Sequence, residues 1–385
     1  MRILIFSNAY KPTISGVVTS ISLFRRGLIN ANHEVHIIAP QYEDYQDEDP
    51  FVFRFPALDL SDRLNISLVL PFQPLMELTV RGIKPDIIHS QHPVWMGDLA
   101  AAFASDMNIP LVFTFHTRYD EYAQSYVPIV PELASKVAGE VVLRYMRHCA
   151  HIIAPTPSIR DLILSEYPLD VPVSVVPSPV DLNQYDELNP GRVRTMLGLE
   201  EEELLLYVGR LSKEKGLDLI LRAFVRIIAE RPSVRLLLLG EGPYKRGLES
   251  KARRLGLSER IIFGGVIPHE EVPNYVSAAD LFVFSSLTDT QGLVLLEAMT
   301  AGIPVVAVEA PGSADVLSEG GGLLVPATEV DFSNAVLSLL ADEACRSEMG
   351  KQAIRAAQRY SIPATTARML EVYEKTIEAG SLIRK

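Results

Sequence analysis

Cysteine is scarce: Cys149 and Cys345 are the two among 385 residues. They lie far apart without metal-ligand spacing, and read as buried or incidental thiols in a reducing cytoplasm. Positive charge is also short. The net charge is −12, with the acidic excess shared by both halves, so no basic module is available for nucleic acid. Long apolar runs are missing too. Although 48% of residues are hydrophobic, the longest stretches are of the LLLYV and LLLLG kind, far short of a bilayer crossing. The start, MRILIFSN, has neither a cationic leader nor a small-residue cleavage site, which argues against secretion. No short-period repeat or low-complexity segment occurs. What remains is a soluble or peripheral protein long enough for two domains, each with its own core.

Short strand-like runs alternate with helical patterns throughout. RILIFS, HEVHIIAP, DIIHS, LVFTFH and HIIAPT occupy the first half; LLLYVGR, VRLLLLG, RIIFGG, LFVFSS and PVVAV the second. Near-continuous Val/Ile/Leu strands between helices predict α/β architecture with parallel sheets covered on both faces. The pattern restarts near residue 200. The Pro-, Asn- and Asp-rich stretch at 177–190 is the expected linker. The predicted domains are 1–180 and 181–362, followed after Pro363 by a charged amphipathic helix over Thr365 to Ala379 within 363–385.

The chain is organised around Leu281 to Glu309, LFVFSSLTDTQGLVLLEAMTAGIPVVAVE. Two apolar runs flank a helical block punctuated by Gly302 and Pro304, giving a βαβ unit. The loop after the first strand of such a unit faces the ligand crevice, and the helix start favours an anion. Thr290, Gln291 and Gly292 stand at that corner. Glu297 falls within an almost wholly apolar helix and is expected to be buried, where a carboxylate needs a hydrogen bond or a cation. Two readings of the acids stay open at this point. Asp289 is either a turn or capping acid or a ligand group, and Glu297 either a paired core acid or a ligand group.

Other strand-end residues are candidates on the same logic. Arg210 follows a buried strand, and Lys215 comes just before Gly216 and a helix, so two cations converge on a helix start, which suits a diphosphate. Gly16 sits where a helix opens after the first strand, as a plain turn glycine or as a close-approach position for phosphate. His116 ends an apolar strand and is expected to titrate or donate near neutral pH, with structural histidine as the alternative. Tyr119 and Tyr122 follow it as crevice-lining or packing aromatics. His89 and His92 also follow a strand, at the same crevice, without metal spacing. Gly240 and Gly242 mimic a dinucleotide fingerprint, but Lys245 holds the third glycine position, which argues against NAD. Asp47 and Asp49 form an Asp-x-Asp in an acidic run expected to be a solvated loop. Arg25 with Arg26, and Lys251 with Arg253 and Arg254, are expected to be solvated basic faces.

Asp289, seven residues, Glu297, then AMTAGIPVV resembles the signature of the retaining glycosyltransferases of family four, whose fold is the two-domain GT-B arrangement. GRLSKEKG around Arg210 and Lys215 and the HTRYDEY run from His116 are similar to family motifs as well, the latter to bacterial enzymes that glycosylate diacylglycerol. The resemblance covers nearly the whole chain. It implies two Rossmann-like domains with parallel sheets facing across a cleft, the last helix crossing back to the first domain. It places the acceptor in the N-terminal domain, with Tyr119, Tyr122 and His92 lining its path, and the nucleotide sugar in the C-terminal one. Glu297 would bind ribose hydroxyls, Asp289 and His116 the transferred sugar, and Arg210, Lys215 and the Gly16 turn the diphosphate. Amides of Thr290, Gln291 and Gly292 would meet phosphate or sugar oxygens, and backbone around Gly265 and Val266 the base. One departure is Asp289, where the family usually carries Glu, which bears on donor-sugar preference.

The implied activity is hexose transfer, with glucose from UDP-glucose as the leading donor and retention of configuration. No cofactor or metal is required. The expected acceptor is a membrane lipid such as diacylglycerol, reached by a cytoplasmic protein in peripheral contact with the inner face of the membrane. The alternatives are a soluble sugar, polyol or metabolite acceptor, and a binding protein that senses sugar nucleotide without turnover.

Overall fold

A computed structural model describes residues 1–59, 67–69, 74–126, 131–185, 188–199 and 201–383. The chain forms two compact units. One comprises Met1–Pro179 together with the chain from Ile362 on, and the other Val180–Ser361.

In the first unit, strands β1 (Arg2–Phe6), β2 (Glu34–Pro40) and β3 (Val52–Phe55) precede a short antiparallel pair, β4 (Ala57–Asp59) and β5 (Ser67–Val69). Then come β6 (Ile87–Ser90), β7 (Leu111–Thr114), β8 (His151–Ala154) and β9 (Val173–Val175). Among the described residues they make a seven-stranded sheet in the order β3-β2-β1-β6-β7-β8-β9, all parallel where paired. The second unit has β10 (Leu204–Val208), β11 (Arg235–Leu239), β12 (Ile261–Gly265), β13 (Leu281–Phe284), β14 (Val305–Val308) and β15 (Gly322–Val325). Their order, β12-β11-β10-β13-β14-β15, repeats the same doubly wound plan. Residues of β6, β7, β8, β13 and β14 are buried along their whole length. The four-residue apolar runs therefore show no alternation, as expected of strands covered by helices on both faces.

In each unit the strand order reverses beside the first strand, between β1 and β6 and between β10 and β13. Ligand crevices of open α/β sheets form at the carboxyl ends of the strands at such a point. That places the loops after β1, β6, β10 and β13 where chemistry is expected.

The chain crosses between units at Pro179/Val180 and again at Ser361/Ile362. The Val180 amide donates to the Tyr360 carbonyl at 2.8 Å, and Val180 bridges to Ser361, so the two passages run side by side. The expected linker at 177–190 is thus largely part of the second unit. It holds a 3₁₀ turn at Leu182–Tyr185 and the start of helix Pro190–Met196, whose amino end is capped by the Asn189 side chain. The helix expected over Thr365 to Ala379 runs over Ile362–Ile383. It packs against helix Gly16–Asn30 at Gly27, where a Cβ would come within 2.0 Å of Thr366 Oγ1. Met369, Val372 and Tyr373 join the core of the first unit. Among the described residues no helix is long and apolar enough to cross a membrane.

Candidate active site

In the second unit, the loop after β10 carries Arg210 and Lys215, and backbone packing fixes it. Gly240, at φ +129°, lies so close that a Cβ there would meet the Gly209 carbonyl oxygen at 2.0 Å; one on Gly242 would meet the Leu211 oxygen at 2.4 Å. Amides of Gly209 and Leu211 donate to carbonyls of Leu239 and Glu241, both at 2.9 Å, and the Gly240 amide to Gly265 at 2.7 Å. The glycines of the GEGP turn thus serve loop-to-loop contact between the ends of β10, β11 and β12, which accounts for them without a dinucleotide. Arg210 is half-buried, and its carbonyl accepts from the Tyr207 hydroxyl at 3.1 Å. Gly265 is left-handed at φ +68°, and Val266 beside it is exposed.

Lys215 ends a 3₁₀ turn, and Gly216 then takes the left-handed conformation that starts helix Leu217–Glu230. A Cβ on Gly216 would lie 2.4 Å from the Ser285 carbonyl, and Ser285 Oγ donates to the Lys215 carbonyl at 2.7 Å. This brings the loop after β10 against the loop after β13. There the Lys215 ammonium contacts both Asp289 carboxylate oxygens, at 2.7 and 2.9 Å. Asp289 therefore neither caps the helix nor closes a turn with its side chain; it is the ion partner of Lys215. From the other side, Gly312 leaves only 2.3 Å between a built Cβ and the Asp289 carbonyl oxygen. Thr290 and Gln291 are buried, and Gly292, left-handed at φ +73°, opens helix Leu293–Thr300.

Glu297 meets the expectation of burial in its carboxyl group, but without the protein partner expected of it. Its residue lies with Leu293, Val294 and Thr300 on the less covered stripe of that helix, while Leu295, Leu296, Ala298 and Met299 form the buried face. Its carboxylate makes no hydrogen bond or ion pair with any described residue, yet the surrounding protein desolvates it and raises its pKa to about 7. Tyr185 sits near it. Burial, then the charges of Glu297 and Asp181, push the Tyr185 phenol well up. The loop after β13 and the helix it leads into thus carry a Lys–Asp pair and, two turns on, an acid with no hydrogen-bond or ion partner among the described residues. Ser286, buried with no hydrogen-bond partner for its hydroxyl, lies on the same loop. Ser285, Ser286, Gly312 and Tyr185 were not singled out by sequence. The only signal for them is position, since each sits beside a strand end or the crossing.

In the first unit, Ser15 caps helix Gly16–Asn30 by accepting from the Val18 amide, and Gly16 is exposed at its first position. The neighbouring loop is held by side chains. Asn8 accepts from the Met96 amide and donates to the Val94 carbonyl, and its own amide donates to His92 Nδ1 at 3.2 Å. His116 Nε2 is 2.7 Å from Gln91 Oε1. Burial lowers His116 to about 3 and His92 to about 4. His116 therefore stays neutral instead of titrating near pH 7, because its surroundings penalise the cation. His89 is not an acceptor-lining residue. It is buried, with Nδ1 2.6 Å from the Tyr373 hydroxyl and Nε2 2.7 Å from Thr114 Oγ1, and pins the last helix to the sheet. Tyr119 packs, partly buried, against the core of the first unit. The side chain of Tyr122 lies outside the described residues.

The acidic run is a loop with Glu43, Asp44 and Glu48 exposed, as expected, but its Asp47 and Asp49 are held by arginines. Arg54 forks onto Asp47 at 2.6 and 3.1 Å, donates to the carbonyls of Pro40 and Lys11, and faces the rings of Tyr10, Tyr42 and Tyr45. Asp49 pairs with Arg25, so Arg25 is mostly covered as well, while Arg26 is exposed. Lys251 pairs with Asp218 at 2.7 Å, while Arg253 and Arg254 are exposed. Among the described residues no group of three His, Cys, Asp or Glu side chains is placed to hold a metal ion.

Two family models match along the chain, Glycosyltransferase Family 4 over residues 14–184 and Glycosyl transferases group 1 over 194–356. An alpha-monoglucosyldiacylglycerol synthase of Acholeplasma laidlawii is 33% identical, covering 80% of each chain. One of Streptococcus pneumoniae is 30% identical over 88% of this chain and 78% of its own. A D-inositol 3-phosphate glycosyltransferase of Kineococcus radiotolerans is 32% identical over 76% of this chain and 72% of its own. Among solved structures, Anabaena HepE in complex with UDP and glucose superposes with a TM-score of 0.79 at 20% identity, covering 97% of this chain and 99% of that one. A sucrose-phosphate synthase of Thermosynechococcus elongatus gives 0.80 at 21%, covering 98% and 99%. With two doubly wound units, cations and acids gathered at the strand ends of the second, and these matches over most of its length, the chain belongs to glycosyltransferase family four and has the GT-B fold.

Proposed function

We propose that the protein transfers glucose from UDP-glucose to a membrane lipid of the diacylglycerol type, with retention of configuration and without a metal. The observation that carries the donor half is the Glu297 carboxylate, without a partner among the described residues, on the helix that Gly292 opens after the loop holding the Lys215–Asp289 pair. A carboxylate in such surroundings gains most from paired hydroxyl donors, which a ribose supplies. Arg210, Lys215 and the amides at Thr290, Gln291 and Gly292 are suited to the charge that develops on a departing nucleoside diphosphate, so no metal is needed. Gly265 and Val266 then border the base, and Asp289 the transferred sugar. His116, being neutral, acts as a hydrogen-bond group and not as a base.

In the reaction, the acceptor oxygen forms its bond to the anomeric carbon on the face from which the phosphate oxygen departs. The acceptor proton passes to that oxygen, and UDP leaves. The lipid acceptor rests on the two relatives whose names specify glucosyldiacylglycerol synthesis, and on the His116, Tyr119 and Tyr122 run with His92 nearby. It places the protein in peripheral contact with the inner membrane face. The test is labelled UDP-glucose with diacylglycerol vesicles, in the presence of chelator. Label in the organic phase as an α-glucoside is the expected result. Transfer to soluble acceptors alone overturns the lipid assignment. Arg210→Ala is expected to lower turnover on the order of 100-fold with the fold intact.

The inositol-phosphate glycosyltransferase relative favours a second reading, the same chemistry on a soluble polyol phosphate. A panel of polyol phosphates in the same assay separates the two.

A further inference from the structure

The backbones on both sides of the Lys215–Asp289 pair are clamped. Gly216 has no room for a side chain against Ser285, and the Lys215 carbonyl takes the Ser285 hydroxyl. The Asp289 carbonyl lies equally close to Gly312. What can move is the two side chains. Each is about a quarter exposed, at 22% and 24%, and neither side chain has another hydrogen-bond or ion partner among the described residues. An ion pair that reaches water on one side, with no further partner on either group, can be exchanged for a competing anion that enters from that side.

We propose that Asp289 is the release partner of Lys215: it takes back the ammonium as the nucleoside diphosphate departs, and so speeds clearing of the site. The inference rests on Lys215 being a diphosphate ligand. With nucleotide bound, Lys215 points to phosphate oxygens and Asp289 is left for the sugar. After transfer the sugar is gone, and the freed carboxylate competes for the lysine. Asp289 is thereby a positioning residue for Lys215 as well as a candidate sugar contact.

UDP without sugar isolates this role, because no sugar hydroxyl is present for Asp289 to bind. Release of UDP is followed by stopped flow in the full-length wild type, Asp289→Asn, Lys215→Ala and the double variant, with thermal midpoints as a check on folding. Asp289→Asn is expected to slow UDP release up to about fivefold, the scale of an exposed ion pair. In the Lys215→Ala background the same change is expected to do nothing. Asp289→Ala gives the same reading should the Asn variant fold poorly. Unchanged or faster release in Asp289→Asn overturns the proposal. So does a slowing that persists without Lys215, which is plain repulsion between carboxylate and UDP. Normal UDP binding by Lys215→Ala overturns the donor-site reading itself, an outcome distinct from the other two.

Discussion

The two units share one strand plan but hold their strand-end loops by different means. In the second, backbone lies on backbone: Gly240 against Gly209, Gly242 against Leu211, Gly216 against Ser285 and Gly312 against Asp289, each leaving no space for a Cβ. In the first, one backbone contact of this kind, Gly97 against His92, is joined by side chains that reach across: Asn8 to His92 and Met96, Gln91 to His116, and Arg54 to Asp47 and Lys11. Backbone packing fixes a loop with little side-chain adjustment, which suits a site for a ligand of constant shape such as a diphosphate. Side-chain bracing can change partner by partner, which suits a surface that is to fit one acceptor rather than another.

If side chains brace the first unit, removing the central one should cost most. Arg54→Ala leaves Asp47 buried and uncompensated, and is expected to destabilise by about 3–5 kcal/mol, read as a lower denaturant midpoint. A loss under 1 kcal/mol in that titration would break the contrast. Gly240→Ala tests the opposite side. A methyl group within 2.0 Å of a carbonyl oxygen at φ +129° is expected to cost on the order of 3 kcal/mol. Donor affinity should fall with it, as seen by calorimetry with UDP.

The buried histidines give the first unit a distinctive response to acid. His89 has its folded pKa lowered to about 3, below the ordinary value, so its stabilising effect is complete above about pH 6.5. Below that value the unfolded chain takes the proton first, and each pH unit costs about 1.4 kcal/mol until the folded value is reached. Melting midpoints followed from pH 7 to 4.5 are expected to fall. Removal of the imidazole in His89→Gln should flatten the slope. A slope equal to wild type would assign the acid limb to other groups.

Glu297 gives the smallest effect, from a pKa shifted upward where that of His89 is shifted downward. Its raised pKa of about 7 means that the ionised form is disfavoured in the free protein, and hydroxyl donors from a ligand favour it. UDP-glucose carries a diphosphate that does not titrate near neutrality. Its affinity is therefore expected to rise about tenfold at most between pH 6 and 8, with Glu297→Gln showing no such rise. A flat profile in the wild type would remove Glu297 from the donor site.

The same contrast explains what could be read from sequence. In the second unit the signals are local: Arg210, Lys215 and Gly216 sit within one turn of each other, and Gly302 and Pro304 mark where helix Leu293–Thr300 stops. In the first, partners are remote along the chain. His89 is decided by Tyr373, 284 positions away, and a strand buried on both faces carries no alternation to show which side a residue takes. The pairing of Asp47 and Asp49 within the otherwise exposed acidic run is not legible locally, because Arg54 and Arg25, their partners, belong to a strand and a helix on either side of it. For Glu297, the nearly all-apolar helix announces burial of the carboxyl group, while the lack of a partner for it among the described residues is invisible in composition.

The helix at Ile362–Ile383 supplies Met369, Val372 and Tyr373 to the core of the first unit, although the whole second unit is encoded between them. During synthesis, a ribosome-bound chain reaching residue 361 holds every residue of the second unit but leaves an apolar face of the first uncovered. The portion translated first is thus the one that matures last, and a nascent chain stalled in this interval is the species that most needs chaperone protection.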